Sequence, residues 1–326
     1  MQKILILVAL AGGLLLPLKT SAGPWFATGQ SALADPRAAA VEAATKAKTA
    51  LGESPAKLVV VFAGKSQYGA ALVDGIASVF DKKLIYGGTA SAPITQDGNF
   101  ADQIPDATNS VAVLVIGGGC QVTAASAVVE KSTNQVGRLK VHYVSGLSVG
   151  DQLKSAYDQT NSGKFVLTFG NQHAGPNQAF AEGVTDVLGK NLKMVGGASG
   201  GDNSREIVVG ELVTSVNIGI LLTGNFKVVT TSSRDEPLKA ADDLLKGVVT
   251  EGSPKPAVIF FFEDHLRRNA LGKAGTLAQE SKLITADAAG LPLFGMDDSG
   301  EIGHDTPTAV PVGAAMRTVV AAIIPQ

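Results

Sequence analysis

The string KLVVVFAG, opening at Lys57, returns as KFVLTFGN from Lys164, and each copy runs on through a helix-like stretch into a second apolar run that ends in glycine. That ending reads GGTAS from Gly87 in the first copy and GGASGGD from Gly196 in the second. A weaker third copy opens with PAVIFFF at Pro256, reaches LFGMDDSGEIG from Leu293 and closes with AAMRTVVAAII. Repetition of this kind restricts the chain to folds that stack one strand-helix-strand unit several times, and it places the glycine-rich strand ends in related positions. Those ends are where a ligand would meet backbone N–H groups and polar side chains.

The strands VVVF, FVLTF, VIFFF, VAVLVIG and IGILLTG are near-continuous apolar runs, the pattern of central strands covered on both faces. Between them, Val73, Ile76, Ala77 and Phe80 share one helical face, and Phe180, Val184, Val187 and Leu188 share another, with Gly189 stopping the second helix. After the glycines, EIVVGELV (206–213) and SVNIGILLTG read as strands joined by a turn, so the sheets should be mixed. The expected fold class is therefore α/β, with tandem strand-helix-strand repeats forming mixed, largely buried sheets and helices packed on them. Three stretches read as connectors outside the copies. They are the Ala-rich segment 24–51, helical from the cap Asp35 and Pro36 onward; residues 119–163, a strand-like run and then a helix carrying Val149, Leu153 and Tyr157; and residues 235–250, a helix with Pro237 in its first turn.

The chain has 326 residues, 45% of them hydrophobic, enough for a large core and two domains. Net charge is near neutral, Lys and Arg are scattered and aromatic residues are few, which argues against a nucleic-acid partner. Residues 1–22 read as a secretory signal peptide: Lys3, the apolar stretch Ile4 to Leu18, then Thr20-Ser21-Ala22. That apolar stretch is shorter than the ~20 residues of a bilayer span, so no stable membrane insertion is expected after cleavage, and the mature chain should be periplasmic or secreted. A single cysteine, Cys120, excludes an internal disulfide and reads as a small apolar residue near a strand end.

Two copies ending in glycine-small-Ser loops, followed by a shorter third unit with Gly295-Met296-Asp297-Asp298-Ser299-Gly300-Glu301-Ile302-Gly303, resemble the FIST domain family over roughly residues 55–326. The resemblance implies an N-terminal FIST-like domain over 55–234 holding two repeats, a C-terminal FIST-like domain over 235–326, and a helical segment over 23–54. It implies a sensory input module for a small ligand, with amino acids or their derivatives as candidates. Two departures stand out: 262–268 (FEDHLRR) has no Cys where the family often has one before Arg, and Met296-Asp297-Asp298 replaces an aromatic segment. No signalling output segment is recognisable, and the partner protein is unknown.

The residues themselves sketch a binding site. Gly87, Gly88, Gly196, Gly197, Gly200 and Gly201 let backbone approach a ligand, Ser91 and Ser199 add hydroxyls, Arg267 or Arg268 could pair with a carboxylate, and Asp202 and Glu301 could meet an ammonium. His173 is a histidine near a strand end facing the loops, whereas His142 in VHYV reads as a strand residue and His265 as an exposed helix start. The expected function is binding of an amino-acid-like small molecule, without catalysis and without a cofactor. Two alternatives compete. Gly197-Ala198-Ser199-Gly200-Gly201 has the spacing of a nucleophile elbow, with Asp264 and His304 later in the chain as triad partners, although a strand-like rather than a helical segment follows. The other is a structural or interaction protein with a vestigial pocket. Asp297, Asp298, Glu301 and His304 form an oxygen-rich group whose spacing matches no calcium loop, and a solvated turn is expected there instead of a metal.

Overall fold

A computed structural model describes residues 25–65, 67–99, 110–159, 162–170, 174–199, 205–250, 254–306 and 309–326. The segment 1–22 read as a signal peptide, and with it His173, Gly200, Gly201 and Asp202, lies outside the described residues.

Each copy is longer than the sequence suggests. The first consists of β1 (Phe26–Ser31), α1 (Pro36–Leu51), β2 (Leu58–Ala63), α2 (Ala70–Ala77), β3 (Ile85–Thr89), β4 (Ala92–Thr95), β5 (Gly98–Asn99) and β6 (Val111–Ile116). The second repeats the order with β7 (Gln121–Val128), α3 (Gln135–Tyr157), β8 (Gly163–Gly170), α4 (Ala174–Leu188), β9 (Met194–Ala198), β10 (Arg205–Val208), β11 (Glu211–Thr214) and β12 (Val216–Gly224). The third has β13 (Phe226–Ser233), α5 (Pro237–Thr250), β14 (Val258–Asp264), two helices α6 (His265–Ala274) and α7 (Leu277–Ala288), then β15 (Leu293–Asp298), β16 (Glu301–Gly303), β17 (Val312–Ala314) and β18 (Thr318–Pro325).

The stretches read as connectors are thus the opening strand and helix of the first two copies and the opening helix of the third. Strands β1, β7 and β13 hydrogen-bond along their whole length to the closing strands β6, β12 and β18. Their sequences FATGQS, QVTAASAV and FKVVTTSS are small and polar-rich; the strand-like run read in 119–163 is β7, while β1 and β13 escaped a search for apolar runs. Helix α3 likewise begins earlier than its apolar face suggests, capped by Asn134 accepting from the Gly137 N–H at 2.7 Å. His142 consequently sits in this helix, not in a strand.

The three sheets interlock. Their orders are β1-β6-β2-β3-β10-β11, β7-β12-β8-β9-β16-β17 and β13-β18-β14-β15-β4-β5. Each contains one copy's opening, closing and parallel strands, and the post-glycine hairpin of another copy completes it: copy two completes sheet one, copy three sheet two, and copy one sheet three. The result is a cyclic strand exchange with threefold topology, and the sheets are mixed because only β2/β3, β8/β9 and β14/β15 run parallel.

Alternation along the central strands explains their unbroken apolar character. Val60 and Phe62 face a core between the sheets, together with Phe165, Leu167, Phe169, Phe260 and Phe262. Val59, Val61 and Ala63 face the layer of α1 and α2 instead, and the other two copies do the same with their own helices. Phe62, Phe169 and Phe262 occupy equivalent positions in the three copies, with Phe62 edge-on to Phe169 at 5.3 Å and to Phe262 at 6.2 Å, and stacked on Phe294 at 4.7 Å. Aromatic pairs in these geometries add to the burial of their area. Cys120 belongs to the same core, and burial pushes its thiol up to about 12, so it behaves as a small apolar side chain.

Candidate functional site at the converging strand ends

Register explains the repeated glycines. Gly87, Gly196 and Gly295 lie opposite Val61, Thr168 and Phe261 on the adjacent parallel strands. A Cβ at each would come within 2.4, 1.8 and 1.5 Å of the carbonyl oxygen of that same partner. The first glycine of each motif therefore serves strand approach, not ligand approach.

The second position serves contact between copies. A Cβ on Gly88 would meet Ser199 Oγ at 2.6 Å, and one on Gly197 would overlap the Asp298 carboxylate. By register Ala90, Ser199 and Asp298 are equivalent, so each copy's glycine receives the next copy's residue at this position. Copy three has Met296 in place of the glycine, and the residue the cycle brings toward it is the small Ala90; both belong to the central core. Backbone bonds tie the same junctions, with Ser91 N–H to Asp297 O at 3.0 Å and Ala198 N–H to Gly300 O at 3.0 Å. The three strand ends do meet at one centre.

That centre is acidic and buried. Glu263, Asp264, Asp297, Asp298 and Glu301 are each at most 1% exposed, where a solvated turn was expected for the last three. They end the parallel strands β14 and β15 or open β16, and the sheet itself carries them inward. Asp264 caps α6 by accepting from Leu266 N–H at 2.7 Å and also accepts from Met316 N–H at 2.8 Å. Asp298 Oδ1 accepts from Gly300 N–H at 2.9 Å.

Asp298 and Glu301 form a coupled pair. Burial pushes the Asp298 carboxyl well above the usual carboxylate range and the neighbouring Glu301 charge adds to it. Burial also raises Glu301 well above that range, against the pull of the hydrogen bond Asp298 gives it. The pair holds a proton that two separate carboxylates in water would release near pH 4. A raised folded-state pKa means that the folded chain binds more protons than the unfolded one, so this stability is full below about pH 4 and is lost as pH rises through the folded value. We expect the wild-type chain to lose stability in urea progressively as pH is raised from about 4, the ordinary carboxylate value, and the Asp298→Asn and Glu301→Gln variants to show a flatter profile. A slope unchanged in both variants would exclude the pair as its source. His304, whose pKa burial lowers, acts in the opposite direction below about pH 6.5, and the two variants, which both keep it, isolate the share of the carboxyl pair.

The arginines proposed for ligand capture already have partners. Arg267 Nε donates to Glu263 Oε1 at 3.2 Å, with the Arg267 side chain 5% exposed, and Arg268 Nε lies 3.0 Å from Asp297 Oδ2 with its side chain 20% exposed. Arg317, absent from the sequence-level site, is fully buried, and its Nη1 is 3.1 Å from Asp305. Burial lowers its pKa, against the attraction of Asp305. The Arg317 N–H also reaches Glu301 Oε2 at 3.4 Å, and its carbonyl accepts from Asp264 N–H at 3.2 Å. A lone Arg inside the apolar run AAMRTVVAAII was the available signal, since a charge there must be buried with a partner.

Ser199 is 1% exposed, and its Oγ makes no hydrogen bond among the described residues. Among the described residues no triad forms around it. His304 Nε2 accepts from Met194 N–H at 3.1 Å while Nδ1 donates to Ala309 O at 2.8 Å, so both ring nitrogens are engaged elsewhere. His304 is a staple between β16 and β9. His265 opens α6 at the edge of the centre, its Nδ1 3.0 Å from Asp298 O. Among the described residues no group of three His, Cys, Asp or Glu side chains is arranged to hold a metal, and no helix is long and apolar enough to cross a membrane.

The family model for the FIST N domain matches residues 57–241, and the chain belongs to this family of sensory, small-ligand-binding domains. No curated protein sequence matches the chain. Among solved structures, a cyanuric acid hydrolase from A. caulinodans aligns with a TM-score of 0.44 at 10% identity, covering 92% of this chain and 99% of its own. A second cyanuric acid hydrolase, described as an evolutionary innovation by structural concatenation, aligns with a TM-score of 0.42, the same identity and the same coverage. A likeness that low carries no inference about chemistry.

Proposed function

We propose that this chain is an exported small-ligand-binding module of the sensory type, taking amino acids or their derivatives at the converged strand ends and performing no catalysis. The observation that carries this reading is the buried Asp298–Glu301 pair, with Asp298 against Gly197 and, at the neighbouring junction against Gly88, Ser199, whose hydroxyl has no hydrogen-bond partner among the described residues. Among the described residues, six buried carboxyl groups, counting Glu206 opposite Gly88, against three guanidinium groups make the centre suited to a ligand that brings an ammonium or another N–H donor. An ammonium would take the place of the shared proton and let both carboxylates ionise. The ligand's carboxylate falls to Arg268, the less buried of the two neighbouring arginines. Export rests on residues 1–22 of the sequence. The hydrolase reading finds no support in the position of His304, which has no bond to Ser199.

The test is a thermal-shift panel of amino acids, their amides, and matched carboxylic acids lacking the amine. A ligand at a hundredfold excess over its Kd stabilises the folded state by about 2.7 kcal/mol, a readily measured rise in Tm. Amine-bearing compounds should raise Tm in the wild type and not in Glu301→Gln. A panel with no response, or labelling of Ser199 by a serine-directed probe, would overturn the reading.

A further inference from the structure

We propose that a second site, at the opposite end of the second copy's parallel strands, binds the phosphoryl or sulfate group of a small molecule or lipid headgroup. A cavity of about 400 Å³ lies there, within the range of roughly 300–1,000 Å³ usual for small-molecule sites. Lys164, Lys193, Lys227, Asn191, Tyr157 and Phe226 line it, and no Asp or Glu does.

Three separate strands set the lysines. Lys164 is the second residue of β8, Lys193 directly precedes β9, and Lys227 is the second residue of β13. Strands β8 and β9 are paired in parallel, with Val166 N–H bonded to Lys193 O at 2.8 Å, so the first two lysines belong to neighbouring strands about 4.8 Å apart. Lys164 Nζ sits 4.5 Å from the centroid of the Tyr157 ring. A ring face holds an ammonium in place without neutralising it. Neither Lys164 nor Lys227 forms an ion pair among the described residues. Burial lowers the Lys193 pKa.

The first copy supplies an internal comparison. Lys57 opens β2 as Lys164 opens β8, but its Nζ donates to Gly118 O and Cys120 O, each at 2.7 Å, and is consumed by the backbone. The same lysine in the second copy faces an open cavity. Lysines from three strands line one concavity that no Asp or Glu lines, which favours a multiply charged oxyanion, while Asn191 and the two rings can contact the rest of its carrier. β9 separates this cavity from Ser199 by about 20 Å at the rise of an extended strand, so the two sites are distinct.

The experiment titrates the full chain with inorganic phosphate and with sulfate against chloride at matched ionic strength, reading saturable binding by calorimetry. Three chains are compared: wild type, a Lys164→Met/Lys193→Met/Lys227→Met variant, and a Lys83→Met/Lys255→Met/Lys282→Met variant that removes the same charge from exposed positions elsewhere. General stabilisation by sulfate acts on all three chains alike. Saturable binding should be at least about tenfold weaker in the cavity variant, a loss of about 1.4 kcal/mol, and unchanged in the other. A second arm sediments each chain with phosphatidylglycerol or phosphatidylcholine vesicles. Cavity-dependent binding to phosphatidylglycerol identifies a lipid headgroup, and cavity-dependent binding of the free anions alone identifies a soluble ligand. Equal binding by both variants, or no binding in either arm, overturns the proposal.

Discussion

Gly295→Ala should leave a chain that does not fold stably, with a loss of about 4 kcal/mol or more, a sizeable part of the ~5–15 kcal/mol that holds a typical domain together. The new methyl would stand 1.5 Å from the carbonyl oxygen of Phe261 and 2.5 Å from its carbonyl carbon. Both atoms belong to the backbone of β14, which is bonded to β15 on one side and β18 on the other. A flexible side chain could turn away, but a strand held on both edges can yield only if the ladder breaks. Displacing β14 would also move Glu263 and Asp264 at its end, so the damage reaches the acidic centre. Gly247→Ala in α5 is the matched control: nothing lies within 4 Å of its Cβ position, and alanine should stabilise the helix by up to about 1 kcal/mol. Urea denaturation and soluble yield read both outcomes. A Gly295→Ala chain with wild-type stability would mean that the sheet is looser than its register implies.

That pair of substitutions also marks where the sequence was legible. The repeat could be seen because Lys57 and Lys164 open nearly identical apolar strings, and burial on both faces forces such strings on any central strand. Of the edge strands, β7 was read as a strand-like run but β1 and β13 were not legible, since a strand bonded along one edge can be built from Thr, Ser, Gln and Ala without an apolar run. The strand exchange was hidden for a different reason. A hairpin such as β10–β11 carries no local mark of which copy's sheet it will join. The glycines were noticed and given the wrong reason. Gly87 and Gly196 looked like room for a ligand, but they are room for a neighbouring strand. Of the residues singled out, Gly88 meets Ser199, Gly197 meets Asp298 and Ser91 bonds Asp297, while Arg267 and Arg268 pair with the acidic strand ends. What could not be read was charge balance, because the partners that occupy the arginines, Glu263 and Asp297, lie on strand ends that only the parallel register brings alongside.

The same balance makes Arg267→Met the second large effect, expected to cost about 3–5 kcal/mol in urea at neutral pH. Glu263 has no exposure to water, and its Oε1 is held by Arg267 Nε at 3.2 Å and Thr318 Oγ1 at 2.7 Å. Removing the guanidinium leaves a carboxylate sealed in the protein with one hydroxyl for company, beside the further carboxyls of Asp264 and Asp297. The double variant Glu263→Gln/Arg267→Met removes both charges and should recover most of the loss, because the penalty belongs to the orphaned anion and not to the missing contact. The bridge is also imperfect: Arg267 Nη2 and Glu263 Oε2 have no partner among the described residues, so a neutral pair of similar shape forfeits little. If single and double variants are equally destabilised, packing of the Arg267 stem is what matters. If the double variant recovers, Arg267 is committed to neutralising the end of β14, and carboxylate recognition in this centre falls to Arg268 and backbone N–H groups.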